Sequence, residues 1–373
     1  MTRGLRILLL GAAASCATLG TSGQGDLELP SAGVGPFRKL ADAEEHGVAP
    51  MLFDAPLARY REPALLRDDN DLRSMRVTLF AVASVSGHDA IVRSRANDGR
   101  SFFAGAGDAP GRAPALALAA DAPWENGSLS GPSALRVGEA IYLYYASNGA
   151  IGLARSARGA SFTKLPAPVF SPPRSARAPA VAQLPDGSFR LLYESAGSIF
   201  EAASADGIVW ADLDADEATL AVDPVLGPAS QPATLAPGER PPFDTDSVGD
   251  PCVALRVTPA GRLHMRVLYT GRSQAEGGDL ASAIGFAARY GSAGRLSRNP
   301  SPVLSLGRHE QAPALLEWLA GDPGGPDAPN RSLLLVALDQ RAQALAPPYS
   351  ALAGAVAPAT VTLDAPAAFA DAP

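Results

Sequence analysis

Cysteine is scarce in this chain of 373 residues, which contains only Cys16 and Cys252. A disulfide within the chain would have to join these two, and none can form if Cys16 is removed or carries lipid. A fold stapled by disulfides is therefore excluded. Cys252 begins an apolar segment, where we expect a buried and unreactive thiol.

Basic residues are too few for a nucleic-acid surface. Aspartate and glutamate number 38 against 31 lysines and arginines, which gives a formal net charge of −7. Nucleic-acid binding needs a concentrated basic patch, so we predict no such partner. Motifs of zinc proteases, serine hydrolases, phosphate loops and dinucleotide sites are also missing, so no cofactor is expected. The acidic run 68–71 has oxygen ligands suited to Ca²⁺, but its place between two strands favours a solvated turn, and we predict no metal.

The apolar run near the N-terminus, 7–10, is too short to span a bilayer. Arg3 and Arg6 precede it, and small residues and then Cys16 follow, which is the layout of a secretory signal. We predict a signal peptide over 1–15 and lipid on Cys16, with secretion without lipid as the alternative. The protein is then exported, as a periplasmic or outer-membrane lipoprotein or in secreted form. Its only membrane contact would be the lipid anchor.

A repeated unit is the main feature of the rest of the chain. The stretches 124–133 and 243–252 both run aromatic, acid, two residues, serine, aliphatic, two residues, proline, and both lead into an apolar strand. Repetition at this spacing indicates a solenoid or a propeller. Five such units begin at a proline, and the five prolines are Pro63, Pro132, Pro179, Pro251 and Pro313.

Each unit predicts a hairpin followed by a third strand. The second strands, such as 141–145, are apolar without alternation and therefore expected to be buried on both faces. Antiparallel sheets packed on both sides are the blades of a propeller. We predict an all-β fold, a five-bladed antiparallel β-propeller over 51–345. Residues 16–50 would be a tether and lead-in, and 346–373 a tail with one closing strand at 359–363.

The chain resembles the five-bladed propellers of glycoside hydrolase families 43 and 32. The resemblance depends on the proline-led blade starts, the second-strand ends 144–145 and 268–271, and third strands reading Ile-Gly-[Leu/Phe]-Ala. The stretch 203–210 is similar to the Ala-x-Ser-x-Asp-Gly-x-x-Trp signature of those proteins. The resemblance implies a carbohydrate partner and, in family 43, inverting hydrolysis by three acids on the innermost strands of the first three blades.

The acids beside the blade starts do not match that pattern fully. The first unit has Glu62 and the fourth has Asp250, but the second and third have Gly131 and Ala178 at the same position. A closed ring makes the fourth, fifth and first units neighbours. The acids of these three units could therefore face one pocket, and Glu194 is added because it replaces the small residues Ala146 and Thr270 at its repeat position. We predict a catalytic set of four acids, with pairing to arginine or strand capping as the alternative. The set is Glu62, Asp250, Glu310 and Glu194.

A second set of acids, Asp54, Glu125 and Asp244, follows an aromatic residue before a blade start. Because it recurs, a structural role is favoured, since such an acid can accept backbone N–H bonds. Contact with a ligand is the alternative. Trp124 would suit the apolar face of a sugar ring, and packing in the core is its equal alternative. The predicted substrate-binding residues are Trp124, Asp244, Arg177 and His309.

Two classes of function remain open at this stage. The first is a glycosidase of the family 43 type, and the second is a non-catalytic propeller that binds glycan or an envelope protein. A phosphorylase-like enzyme is a third possibility, for which Arg61, Arg177 and Arg308 would supply a phosphate pocket. We expect a monomer.

Overall fold

The computed structural model describes a large part of the chain. The described residues are 38–39, 60–67, 77–96, 115–216, 218–219, 221–232, 234, 241–257, 261–274, 280–305, 310–318, 331–338 and 352–357.

Within the described residues, the strands form five four-stranded sheets, and all strand pairings inside these sheets are antiparallel. Four sheets each consist of four consecutive strands. Blade 1 contains β2 (Tyr60–Arg67), β3 (Val77–Val85), β4 (His88–Ala96) and β5 (Ala115–Leu118). Blade 2 contains β6 (Ser130–Val137), β7 (Ala140–Ser147), β8 (Ala150–Ser156) and β9 (Thr163–Lys164). Blade 3 contains β10 (Arg177–Gln183), β11 (Phe189–Ser195), β12 (Ser198–Ser204) and β13 (Ala211–Leu213). Blade 4 contains β14 (Ser247–Val257), β15 (Leu263–Gln274), β16 (Leu280–Tyr290) and β17 (Ser297–Arg298).

The fifth sheet joins the two ends of the described chain. Its order is β1 (Arg38–Lys39), β20 (Leu352–Ala357), β19 (Arg331–Leu338) and β18 (Glu310–Trp318). The predicted closing strand at 359–363 lies outside the described residues, and the strand that pairs here is β20.

One edge strand of each sheet, its innermost strand, faces a common axis. Strand β2 contacts β6, β6 contacts β10, β10 contacts β14, β14 contacts β18, and β18 contacts β2. Second strands are buried on both faces, as Tyr144 and Tyr145 in β7 show. The predicted all-β antiparallel propeller is confirmed, and the interblade packing explains why these strands are apolar without alternation.

Aromatic residues after the third strands fill the gaps between blades, as the repeat predicts. Phe162 of blade 2 meets Phe80 of blade 1 edge to face, with ring centroids 5.7 Å apart. Trp210 of blade 3 meets Tyr144 of blade 2 in the same way at 6.0 Å. The Tyr144 hydroxyl also donates to the Gly207 carbonyl oxygen at 2.7 Å, which ties blade 2 to the turn before Trp210.

The innermost strand of every sheet carries a bulge at the residue before its proline. The pairing register shifts there in all five strands. The backbone φ at these positions is positive, a region that disfavours residues other than glycine. The values are 51° at Glu62, 52° at Gly131, 45° at Ala178, 47° at Asp250 and 50° at Ala312. A bulge changes the direction in which the side chain points. The five bulges place the residues before the prolines around the common axis.

Several predictions from the sequence concern residues outside the described ranges. These are the signal peptide 1–15, Cys16, Asp54, the acidic run 68–71, Arg308 and His309. Cys252 is described, and it is only partly buried, with its sulfur accepting the Leu315 N–H at 3.3 Å. Among the described residues, no helix is both long and apolar enough to cross a membrane.

Candidate functional site

A pocket of about 510 Å³ lies at the end of the axis where the innermost strands begin. Its lining is dominated by charge, because three carboxylates and three guanidinium groups face it. These six residues are Arg61, Glu62, Arg177, Glu194, Asp250 and Arg272. They come from blades 1, 3 and 4, so three of the four predicted catalytic acids meet in one place.

Glu62 is held by the neighbouring blade. Its carboxylate Oε2 accepts the Gly131 N–H at 2.5 Å, and its Oε1 lies 3.6 Å from Arg61 Nε. Burial raises the pKa of the Glu62 carboxyl above its usual value; the Gly131 N–H opposes this rise and the charge of Asp250 adds to it. The raised pKa makes Glu62 a pocket acid that is suited to carry a proton.

Glu194 sits deepest, with a side chain only 7% exposed. Its Oε1 accepts a bond from Arg177 Nη2 at 2.5 Å, and its Oε2 accepts the Asp250 N–H at 3.2 Å. Burial raises the pKa of Glu194, the charge of Asp250 raises it further, and Arg177 and Arg272 lower it. The contacts make Glu194 a bridge between blades 3 and 4.

Asp250 is oriented by Arg272, whose Nη2 donates to Asp250 Oδ2 at 2.7 Å. This charge-assisted hydrogen bond fixes the position of the Asp250 carboxylate at the pocket wall. The backbone N–H of Asp250 donates to the Glu194 carboxylate. The equivalent N–H in the fifth sheet, on Ala312, is accepted by the Thr270 hydroxyl at 2.9 Å. Glu194 therefore combines a bulge-capping role, shared with Thr270, with a place in the pocket.

The missing acid of blade 2 has a steric cause. A Cβ at Gly131 would lie 2.8 Å from the Ala178 Cα and 3.0 Å from Pro179 Cδ, both on the adjacent innermost strand. No side chain fits there, and the Gly131 N–H serves Glu62 instead. The packing of blades 2 and 3 therefore leaves no room for an acid at position 131.

Trp124 and Glu125 belong to a different site. They lie in a short 3-10 helix, Pro123–Glu125, in the loop that leads into blade 2. Glu125 is fully buried and accepts bonds from Lys164 Nζ at 2.7 Å and the Tyr145 hydroxyl at 2.8 Å. Trp124 stacks on the Tyr145 ring, with centroids 5.8 Å apart and planes 22° apart. The structure places Trp124 against the core rather than in the lining of the pocket.

Asp244 repeats this arrangement in blade 4. It is 1% exposed, and its Oδ2 accepts bonds from the Tyr269 hydroxyl at 2.8 Å and from Arg298 Nη1 at 2.6 Å. Phe243 stacks on Tyr269, with centroids 6.1 Å apart and planes 23° apart. Asp244 likewise lies outside the pocket lining, so the structural reading of the recurring acids fits their contacts.

Blade 3 builds the same kind of cluster with the charges exchanged. The acid, Asp212, is on the outermost strand and accepts the Tyr193 hydroxyl at 2.6 Å. The cation, Arg174, is in the leading loop and lies 3.4 Å from Asp212. The stacked aromatic is Phe200 of the third strand, opposite Tyr193 in the register. Gly152 and Gly285 hold that position in blades 2 and 4, where a side chain would overlap the tyrosine ring. We call these three sets the tyrosine clusters.

Two predicted site residues remain. Arg177 lines the pocket, is 64% exposed and pairs with Glu194. Glu310 begins β18, directly before the pocket residue Gln311, and its side chain lies outside the described part of the structure.

Arg272 lines the pocket but was not among the residues predicted from the sequence. It stands three residues after Tyr269, and the residues three positions after Tyr145 and Tyr193 are Asn148 and Ala196. Arg272 could have been predicted as a site residue, because it places a charge at a repeat position where the other two blades have neutral residues.

The pocket has the parts that acid–base chemistry on a glycosidic bond needs. Such cleavage uses one protonated carboxyl group and one ionised carboxylate that face the same ligand. Here burial raises the pKa of Glu62, and Asp250 faces the same pocket with its carboxylate bound by Arg272. Among the described residues that line the pocket, none is aromatic.

Comparison with known proteins identifies the fold but no family. No family model matches the chain, and no curated protein matches it. A solved glycosyl hydrolase from Bacteroides ovatus is 14% identical, covering 90% of this chain and 98% of its own, with a TM-score of 0.58.

Two further solved structures resemble the chain. One comes from work on the GH130 family of mannoside phosphorylases, which contains glycoside hydrolases that target β-1,2 mannosidic linkages in Candida mannan. It is 15% identical over 89% of this chain and 98% of its own, with a TM-score of 0.58. The other, a thermostable family-43 glycoside hydrolase, is 14% identical over 80% and 89%, with a TM-score of 0.52. The chain therefore has a glycoside-hydrolase-like propeller fold.

Proposed function

We propose that the chain is a five-bladed glycoside-hydrolase-like propeller that cleaves glycosidic bonds in the pocket at its axis. The convergence of Glu62, Glu194 and Asp250 from three blades on one open pocket is the observation that carries this proposal. The fifth blade would be the sheet formed by β18, β19, β20 and β1. Contacts of β18 with both β14 and β2 support this count.

In this proposal the three acids have different tasks. Glu62 donates a proton to the glycosidic oxygen, which suits a carboxyl group whose pKa is raised by burial. Asp250, paired with Arg272, accepts a proton from the attacking water, as the general base of an inverting enzyme. Glu194 holds the Asp250 backbone and positions Arg177, and Glu310 would approach from the fifth sheet.

A non-catalytic carbohydrate-binding propeller is the second candidate. Each acid of the pocket has an arginine partner, namely Arg61, Arg177 or Arg272. Acids that serve only to fix arginines would produce the same contacts without chemistry. In this case sugars bind the pocket but are released unchanged.

Release of reducing sugar from a panel of plant, fungal and bacterial polysaccharides distinguishes the two candidates. The wild-type protein should release sugar from at least one of them, and Asp250→Asn should slow the release by roughly 10²- to 10⁴-fold, the range expected for loss of an acid–base group. Early products observed by NMR should carry the inverted anomeric configuration. Binding without release would favour the second candidate, and absence of both would overturn the proposal.

The proposed place of action is the cell envelope, with lipid on Cys16, and the proposed form is a monomer. The secretory layout of 1–15 supports export. Growth with a radiolabelled fatty acid should label the wild-type chain and leave Cys16→Ala unlabelled. Label on both variants, or on neither, would contradict the anchor.

A further inference from the structure

The arginines of the pocket are more exposed than the acids they hold. The side chain of Arg177 is 64% exposed, against 7% for Glu194. Arg272 is 22% exposed and Asp250 17%. Arg61 is 33% exposed, against 29% for Glu62 and 30% for Asp89, its other partner. On the side of Arg177, a ligand that enters the pocket therefore meets a guanidinium group before the carboxylate of Glu194.

These arginines keep hydrogen-bonding capacity beyond their ion pairs. Arg177 and Arg272 each bind their carboxylate through Nη2. A guanidinium group carries five N–H donors, so one such bond leaves donors for a ligand. Its planar fork matches the two oxygens of a carboxylate, and guanidinium is only weakly hydrated, so contact with an anion costs little.

The remaining lining suits a neutral sugar poorly. Gly197, Ser247, Gln311 and Ala312 complete the wall, and no aromatic ring stands among the described lining residues to stack on a sugar. Affinity must therefore come from polar and charged contacts. Since arginine is the most exposed charge, the complementary ligand carries a negative group.

We infer that Arg61, Arg177 and Arg272 form an oxyanion subsite, and that the sugar bound in this pocket bears an acidic group such as the carboxylate of a uronate residue. The inference rests on the proposed function, because it names the class of carbohydrate that the same pocket takes. Arg177 contributes most of the selectivity, since it is the most exposed of the three arginines.

Calorimetric titration tests this subsite with three kinds of probe. These are short oligosaccharides of galacturonic and glucuronic acid, the corresponding oligosaccharides of galactose and glucose, and inorganic phosphate. The acidic sugars should bind roughly 10- to 100-fold more tightly than the neutral ones, the value of a charge-assisted hydrogen bond. Arg177→Gln should remove most of this preference, because it should weaken the binding of acidic sugars far more than that of neutral sugars.

Arg295→Gln is the matched control. Arg295 is 56% exposed, is paired with Asp216 and Asp223, and lies outside the pocket lining. This variant should keep the full preference for acidic sugars. Arg177→Lys retains a charge beside Glu194 and loses the planar fork, so it provides the same test with a several-fold loss if Arg177→Gln does not fold.

The outcomes separate the inference from the proposed function. Equal affinity for acidic and neutral sugars would overturn the subsite and leave a carbohydrate pocket in place. Tight phosphate binding that Arg177→Gln abolishes, without preference among sugars, would assign the subsite to free phosphate and overturn the sugar carboxylate. No binding of the acidic sugars would overturn the subsite, whereas the proposed function is overturned only if the polysaccharide panel shows neither release nor binding.

Discussion

The acids of the tyrosine clusters and the acids of the pocket make similar bonds in very different settings. Glu125 and Asp244 are at most 1% exposed, and each is bound by a tyrosine hydroxyl and a cation of its own blade. Glu62 and Asp250 stand on bulges with positive φ and remain open to a pocket shared between blades. One set closes a blade, and the other faces a space that a ligand can enter.

The difference shows how repetition separates fold from site in a propeller. The acid that recurs at the same place in blades 2 and 4 performs the same structural task in both, which is the anchoring of a buried tyrosine. An acid that appears in some blades and is replaced by glycine or alanine in others, as at Gly131 and Ala178, is not required by the blade itself. Such acids are the better candidates for chemistry.

Removal of a cluster acid should have the largest effect on stability. Glu125→Ala leaves Lys164, only 14% exposed, without its buried carboxylate, and leaves the Tyr145 hydroxyl and the Ala122 N–H unpaired. We expect a loss of about 3–5 kcal/mol in the free energy of unfolding, measured by urea denaturation. Glu139→Ala, at an exposed turn, is the control and should change nothing measurable. A loss below about 1 kcal/mol for Glu125→Ala would contradict the structural role of the cluster.

The backbone of the pocket can be tested at Gly131. Gly131→Ala places a methyl group 2.8 Å from the Ala178 Cα and should displace the N–H that holds Glu62. We expect a loss of about 1–3 kcal/mol from overpacking, together with reduced activity. Gly138→Ala is a matched control, because Gly138 has a similar φ of 57° but nothing within 4 Å of the added methyl group. Equal losses in the two variants would mean that positive φ alone, and no contact with blade 3, requires glycine at 131.

The exchanged charges of blade 3 offer a smaller test of the cluster itself. Arg174→Glu or Asp212→Lys alone sets like charges side by side, whereas the double variant restores an acid in the leading loop and a cation on the outermost strand, as in blades 2 and 4. Thermal unfolding should show that the double variant recovers about 1 kcal/mol relative to the sum of the single losses. Strictly additive losses would indicate that the pair does not interact.

The smallest expected effect is that of Glu62→Gln, which should stabilise the protein, whereas the preceding single substitutions should destabilise it. Because burial raises the pKa of Glu62 in the folded protein, the folded state binds more protons than the unfolded state above the usual value of 4.5. Stability from this group therefore falls as the pH rises through that window. Glu62→Gln removes this titration. The difference in melting temperature, variant minus wild type, should therefore increase from pH 4 to pH 7. A gain that shrinks with pH would contradict the raised pKa.

The sequence predicted the propeller because its unit recurs. Proline-led strands, apolar second strands and aromatic residues after the third strands all appear in the structure where the pattern places them. The sequence also predicted that Glu62 and Asp250 face one pocket, since a closed ring brings distant first strands together; Glu194, on a second strand, was selected only because it replaces small residues at its repeat position.

Other features depend on the packing between blades and could not be read from the sequence. The steric need for Gly131 arises from the backbone of Ala178, 47 positions further along the chain. The exchanged charges of Arg174 and Asp212 appear only once the leading loop and the outermost strand are paired. Trp124 is a residue type that can stack on a sugar ring, but its stacking on Tyr145 is a tertiary contact that no local sequence pattern indicates.

The most direct test of the account measures activity and stability on the same sample of Glu62→Gln. If the pocket acids serve chemistry and the cluster acids serve the fold, sugar release should fall by roughly 10²-fold or more, while the unfolding temperature at neutral pH stays the same or rises. Unchanged sugar release, or a fall in stability as large as that of Glu125→Ala, would contradict the division between the two sets of acids.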